Sequence, residues 1–389
     1  MIINLFKQHK IIGICIPMIL CLISCNENPK GDHDKICDNK VFSIKDTLVF
    51  DLAEWVNMPD LGKTRFHKNL FDGPALSFYL PKNSNSKLDK VIILDFKTHK
   101  LLHEIEMKNV LTKKYSSINE CLIANKDSIF VLHSHWNELG ELINEISLID
   151  FKGELLRNYA IPLKRNNGYN YHIRSYSGIS LYKKGNSILS MQTLSNADYV
   201  TNPRDQNLYF SSPADVWLQL SDDTCIIEKE IGRYPEQYLK GEYFMPQTSE
   251  FFREVNDHEQ IMYSFFVDDS IHLYSLDGKK TDSYIAKSAW FDFKATQAFN
   301  PDSIRNRSYL LKYWMEETRY GRIVYDNYRK LYYRFVEHSL PYVREDGMLN
   351  LATDKTFSLI ILDKNFKQLS EVCFPGGKYY WNLYVVPEG

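Results

Sequence analysis

No two cysteines in this chain stand at C-x-x-C spacing. The four beyond residue 25, Cys37, Cys121, Cys225 and Cys373, lie far apart. A zinc site or a dense disulfide framework is therefore not expected, and these thiols read as single buried groups. No basic cluster is present, and 47 Lys and Arg nearly balance 49 Asp and Glu, which argues against a nucleic-acid surface. G-x-S-x-G, G-x-G-x-x-G and EF-hand loops are all missing. "LGKT" at 61–64 has Asn57 where a phosphate-binding loop needs its first glycine, and "HEIEM" at 103–107 has Met107 where a zinc helix needs histidine. Nothing signals a catalytic residue, a cofactor or a metal.

Missing too is an apolar run of the roughly 20 residues that a membrane-spanning helix needs. "IIGICIPMILCLIS" (11–24) falls short of it and is interrupted by Pro17. It follows a short head bearing Lys7 and Lys10, the layout of a secretory signal. The run ends in Leu22-Ile23-Ser24-Cys25, which resembles a bacterial lipobox, where the cysteine thiol takes a diacylglyceryl group and becomes the new N-terminus. Only a thiol can form that thioether. More than one acyl chain anchors stably, so the expectation is a lipoprotein held to the membrane through Cys25. The expected location is the cell envelope, on the periplasmic or surface face of the outer membrane. Residues 1–24 are then the signal peptide, 25–42 a polar, Pro- and Gly-bearing tether, and 43–389 a single domain. Cleavage removes two bases and no acids, leaving 45 basic and 49 acidic side chains, a formal charge of −4.

What is abundant is aromatic: 26 Tyr, 22 Phe and 6 Trp, which points to half-buried sheet surfaces where tyrosine rings pack and their hydroxyls stay wet. A repeat runs through the strands. "VIILDFKTHKLLHEI" (91–105), "EISLIDFKGELLRNYAI" (145–161), "IHLYSLDGKKTDSYIA" (271–286) and "FSLIILDKNFKQLSEVCF" (357–374) each pair an apolar strand ending in Asp with a turn and an alternating strand. "VWLQLSDDTCIIEKEI" (216–231) is a weaker copy. The aspartates, Asp95, Asp150, Asp222, Asp277 and Asp363, are 55, 72, 55 and 86 residues apart. A carboxylate there accepts backbone N–H groups of the turn, and Gly153 and Gly278 supply positive φ. Further strands precede the hairpins, as in "SIFVLHSH" (128–135), "NSILSMQT" (186–193), "QIMYSFFV" (260–267) and "KLYYRFVE" (330–337). Three or four antiparallel strands per unit make a propeller blade.

The 72-residue spacing holds a polar loop (195–214) and the 86-residue spacing an inserted helix near 300–318. Asn300 is its expected N-cap, Pro301 its first residue, Ile304, Leu311 and Met315 its packed face, and Gly321 its end. Five blades are visible between about 75 and 375. The terminal runs 43–52 and 379–389 are expected to join in a closing blade. The fold class is thus all-β, a propeller of six blades, with seven as the alternative.

Candidate binding residues lie in two stretches. "YNYHIRSYSG" (169–178) gathers Tyr169, Tyr171 and Arg174 in a candidate glycan- or peptide-binding rim. "RIVYDNYRKLYYRFVEH" (322–338) sets Arg322, Asp326, Arg329 and Arg334 among rings in the inner strands of a blade, with Asp326 paired to Arg322 or Arg329, or used on a ligand. His133 and His135 share one side of a strand, with no third metal ligand evident.

The lipobox, the Asp-ended hairpins and above all "VYDNYRKLYYRF" resemble a family of uncharacterised β-propeller lipoproteins from Bacteroidota, a domain of unknown function. The resemblance spans nearly the whole mature chain. It implies an exported, membrane-attached propeller and transfers no catalytic residue. The leading functional expectation is a binding or scaffold module for a protein, peptide or glycan, more a binder than an enzyme. The rival is an exported hydrolase or lyase acting on glycans, with channel carboxylates and histidines as acid and base.

Overall fold

Apolar runs with period-two alternation, divided by turns that open on Asp or Asn, dictate antiparallel meanders. A computed structural model describes residues 13–19, 44–51, 60–81, 89–98, 100–108, 110, 117–166, 169–174, 181–194, 203–222, 224–240, 250–290, 300–303, 306–377, 383 and 385. Strands β1 (Gly13–Ile19) and β2 (Ile44–Asp51) pair with each other, apart from the rest. Blade one comprises β3 (Asp60–Leu70), β4 (Gly73–Leu80), β5 (Lys90–Asp95) and β6 (Leu101–Glu106). Blade two comprises β7 (Ser117–Asn125), β8 (Ser128–Trp136), β9 (Leu142–Ile149) and β10 (Leu155–Ala160).

In blade three, β11 (Lys164–Asn166) lies outside β12 (Tyr169–Arg174), and the short β13 (Tyr182–Lys184) also pairs with β14 (Ser187–Leu194). That blade continues through β15 (Pro213–Ser221) to β16 (Thr224–Arg233). Blade four is β17 (Phe251–Val255), β18 (Gln260–Phe265), β19 (Ser270–Ser275) and β20 (Lys280–Ile285). Blade five is β21 (Arg319–Asp326), β22 (Leu331–Glu337), β23 (Phe357–Leu362) and β24 (Gln368–Phe374).

The propeller therefore has five blades, where six or seven were expected. The terminal run expected to start a closing blade is β2, whose partner is β1. The other, 379–389, falls mostly outside the described residues, with Leu383 and Val385 packed against the core of blade five. First strands adjoin at the centre, β3 beside β7 and β17 beside β21. Lys68 of blade one sits 4.8 Å over the ring of Tyr328 in blade five, linking the first blade to the last. No helix among the described residues is long and apolar enough to cross a membrane.

Up-and-down order makes the two ends of the propeller unlike. First-to-second and third-to-fourth turns share one end, and apart from the β12–β14 connection of blade three these are short. Asp95 accepts from the N–H of Lys97 and Thr98 at 3.0 and 2.6 Å, Asp150 from Lys152 and Glu154 at 2.8 and 2.9 Å, and Asp363 from Asn365 and Lys367 at 2.8 and 2.9 Å. Asp277 makes a longer contact, 3.4 Å from the N–H of Lys279. The repeated aspartates are turn formers, as expected. Asp222 departs, standing in solvent 3.3 Å from Arg157 of the neighbouring blade. Gly153 has φ +78°, and a Cβ there would meet the carbonyl oxygen of Glu106 at 1.8 Å, so this turn also seats blade two on blade one.

The opposite end carries the long connections. The stretch read as a polar loop, 195–214, contains helix α1 (Pro203–Ser211). The helix expected near 300–318 divides into a 3-10 turn, Pro301–Ser303, and α2, Arg307–Glu316. Asn300 caps only the turn, accepting from Asp302 N–H at 3.0 Å; Asn306 caps α2, accepting from Tyr309 N–H at 3.1 Å. Leu311 is exposed, Tyr313 and Met315 are buried, and Gly321 lies within β21. The helix turns this way because Tyr309, Leu310, Tyr313 and Trp314 pack against an aromatic cluster that includes Phe210, Tyr234, Tyr238, Phe251 and Phe265. Several tyrosines in this core are dry. Tyr171 is hydrogen-bonded to Ser212 at 2.6 Å, and Tyr263 donates to Asp215 at 2.7 Å. Their hydroxyls are satisfied inside the protein, where wet ones were expected.

Candidate functional site

Among the described side chains, the residues singled out from sequence do not converge. Tyr171 is 2% exposed and belongs to the core between blades three and four, so its ring is packing rather than rim. Tyr169 and Arg174 flank it on β12, and their side chains lie outside the described residues, as does Cys25. Asp326 is at the tight-turn end. It accepts from the backbone N–H groups of Tyr328 and Arg329, both at 2.9 Å, from the Arg329 guanidinium at 3.0 Å and from the Tyr333 hydroxyl at 3.2 Å. Of the two partners expected for it, Arg329 is the one found. Arg322 lies on the first strand of blade five, where its charge acts on Glu254 of blade four.

Charges of both signs come from the innermost strands. Arg65 of β3 pairs with Glu120 of β7 at 2.6 Å. Glu254 of β17 has its carboxyl raised, chiefly by burial, against the pull of Arg322 and, more weakly, Arg253 and Arg65. Glu254 is only half-buried.

The end with the long connections collects the buried charges. Asp215 and Arg253 pair at 2.9 Å with both side chains almost fully enclosed. Burial pushes the Asp215 carboxyl up against the opposing effects of Arg253 and Tyr263. Arg319 pairs with Glu337 across the first two strands of blade five. Lys355 is fully buried and donates to the carbonyls of Trp314 and Glu317, both at 2.9 Å. Arg334, also fully buried, donates from Nε to Ser264 at 3.0 Å and from its terminal nitrogens to the carbonyls of Asp268, Asp269 and Ala286 at 2.6, 2.8 and 3.1 Å.

Beside this clamp a cleft of about 590 Å³ opens between blades three and four. Arg233, Glu236 and Lys280 are its exposed charges; Tyr234, Tyr274, Gln237 and the His272–Asp268 pair line it more deeply. His272 contacts Asp268 through Nε2 at 2.5 Å and Ser283 through Nδ1 at 2.8 Å. Burial pushes Asp268 up, but the His272 hydrogen bond and charge, with the Ser270 N–H and Arg334, outweigh it and hold the carboxyl below its ordinary value. Sequence reasoning missed this cleft, because it joins the end of one blade to the third and fourth strands of the next.

A third cluster lies on the side of blade two that packs on blade one. Antiparallel register sets His133 of β8 opposite Glu145 of β9. His133 and His135 Nδ1 lie 3.9 and 3.5 Å from Glu145 Oε2. The histidine pair was legible, while the carboxylate was not. The signal was present: with the chain reversing at Leu139, residue 145 stands as far past the turn as 133 stands before it.

Among solved structures, the fold is similar to a DUF4221 family member from Bacteroides vulgatus, with TM-score 0.58 and 20% identity over 82% of this chain and 84% of that one. Likenesses to an apocarotenoid oxygenase from Synechocystis (TM-score 0.44, 11% identity, 82% of this chain and 62% of that one) and to a periplasmic gluconolactonase from Pseudomonas aeruginosa (TM-score 0.34, 9% identity, 84% and 91%) are too distant to bear on this chain. No curated protein matches it. The model of the domain of unknown function DUF4221 matches residues 39–372, and the chain belongs to that family.

Proposed function

We propose that this protein is a non-enzymatic binding module of the cell envelope, tethered to the membrane through a lipidated Cys25 and taking a glycan or peptide segment into the cleft between blades three and four. The observation that carries the reading is the composition of that cleft. Exposed Arg233 and Lys280, the acid Glu236 and the amide of Gln237 line it together with the edges of the largely buried rings of Tyr234 and Tyr274. Mixed donors and acceptors beside aromatic carbon suit a polar ligand with apolar faces. Asp268, held ionised, serves as an acceptor; a glycosidase's general acid needs its pKa raised instead.

Calorimetric titration of a panel of defined oligosaccharides and peptides tests this. Wild type should bind a member of the panel, and the double variant Arg233→Ala, Lys280→Ala should lose at least tenfold in affinity. Both side chains are exposed, so stability should shift by less than about 0.5 kcal/mol each. For the tether, Cys25→Ala should leave the membrane fraction; unchanged lipid labelling and membrane association in that variant would remove the anchor from the account.

One observation favours the rival, a glycan hydrolase or lyase. Glu254, half-buried on the innermost strand of blade four, has the raised carboxyl pKa that a general acid uses. Turnover of an oligosaccharide by wild type, abolished in Glu254→Gln, would replace the binding reading by this one.

A further inference from the structure

We infer that His133, His135 and Glu145 form a binding site for one divalent transition-metal ion, with zinc the first candidate. The three side chains offer two imidazole nitrogens and a carboxylate oxygen that all lie within 4.8 Å of one another. Ligands held tetrahedrally at bonds of about 2.1 Å sit about 3.4 Å apart. The His135 Nδ1 to Glu145 Oε2 separation of 3.5 Å already matches, and the His133 separation of 3.9 Å needs only a small closure. Two histidines and one carboxylate leave a fourth position open, the donor set of zinc sites that keep a water and of non-haem iron sites.

The strands enforce this arrangement. Residues two apart on β8 project to the same side, and cross-strand register delivers Glu145 directly opposite His133. The same side of blade two presents Ile129 and Ile149 further down, within the apolar core shared with blade one. His133, His135 and Glu145 are 2%, 4% and 7% exposed, so the donors are held at the edge of a low-dielectric region. Trp136, the next residue, is 44% exposed, which puts the site one residue from solvent at the end with the long connections.

The hydrogen bonds behind His133 orient its ring as a ligating histidine's would be. Ser147 donates its only hydroxyl proton to Asn158 Oδ1 at 2.8 Å. Its oxygen, 2.8 Å from His133 Nε2, is then the acceptor of the Nε2–H. The proton of the neutral ring is thereby fixed on Nε2, and the Nδ1 lone pair faces Glu145. Ligating histidines are oriented in this manner by acceptors on their other nitrogen. The competing arrangement is an imidazolium paired with Glu145. It uses the same distances but takes up no metal.

The test is zinc titration of the metal-stripped full-length chain, with elemental analysis and substitution by cobalt. Wild type should bind one equivalent of Zn²⁺, show the visible absorption of four- or five-coordinate Co²⁺, and melt at a higher temperature with the metal. Glu145→Gln and His135→Gln should each weaken zinc at least tenfold. Absence of stoichiometric binding in wild type, or unchanged affinity in both variants, would overturn the site. Should those variants fail to fold, Ser147→Ala decides, because it keeps all three ligands and removes only the acceptor that orients His133. An affinity about tenfold weaker supports the site, and an unchanged affinity overturns it. This inference is independent of the cleft reading, since the two lie in different blades.

Discussion

The guanidinium of Arg334 donates to the backbone carbonyl of Asp268 at 2.6 Å, so the second strand of blade five holds the segment of blade four whose carboxylate pairs with His272 in the cleft. Its other contacts, to Asp269, Ala286 and Ser264, bring four of the guanidinium's five N–H donors into use, and the cation lies 3.9 Å over the ring of Tyr320. Burial lowers its pKa to about 10, so it stays charged at neutral pH. Replacing it by methionine strips the carbonyls of Asp268 and Ala286 of this donor, while that of Asp269 keeps the Ala286 N–H at 2.9 Å; each carbonyl left unsatisfied costs about 1–3 kcal/mol. Arg334→Met should therefore lose about 3 kcal/mol or more in urea unfolding, and Arg334→Lys should recover only a part, because an ammonium cannot reproduce the fork. A methionine variant within about 1 kcal/mol of wild type would show that the clamp is not needed.

Asp326 and Arg329 behave differently, because Arg329 is one-third exposed and water screens the pair. The carboxylate's larger task is the turn, where it accepts two backbone N–H groups. Asp326→Asn keeps an acceptor for them and should cost about 1 kcal/mol; Asp326→Ala removes it and should cost about twice that. Equal losses in chemical denaturation would mean that charge pairing, rather than the turn, dominates.

Lys355 gives the fold a pH dependence of known sign. Burial, then the charge of Arg319, lowers its pKa to about 7, whereas the unfolded chain keeps about 10.4. Between those values the unfolded state binds more protons, so this group's contribution to stability rises with pH across the window. Below pH 7 the folded chain carries the full cost of the buried ammonium. Lys355→Met should flatten the rise in unfolding free energy from pH 7 to 10 relative to wild type. A variant whose slope in that range equals the wild-type slope would contradict the assignment.

The features legible in the sequence were local ones. Period-two runs and Asp-led turns sit within fifteen or so residues, and they marked the outer hairpin of all five blades, along with the preceding strands β8, β14, β18 and β22. Blade number was not legible, because closure depends on which distant edges meet: Ile44–Asp51 pairs with Gly13–Ile19, and the C-terminal run falls mostly outside the described residues. Helix α2 was foreseen, but Asn300 and Asn306 offer the same capping chemistry six residues apart, and packing of the rings of Tyr309, Tyr313 and Trp314 chose the second. Tyr171 was read as rim because a tyrosine between polar neighbours is ambiguous until its hydroxyl partner, Ser212, is known. The cleft and the Glu145 carboxylate arise from pairings that no single segment encodes.

The most direct test of the binding account is hydrogen–deuterium exchange of the full chain with and without the tightest-binding oligosaccharide or peptide of the panel. The cleft reading predicts added protection confined to residues 233–237 and 268–280, the segments that line the cleft. Protection confined instead to 169–174 or to the innermost strands around Arg322 and Glu254, with 233–237 and 268–280 unchanged, would contradict it.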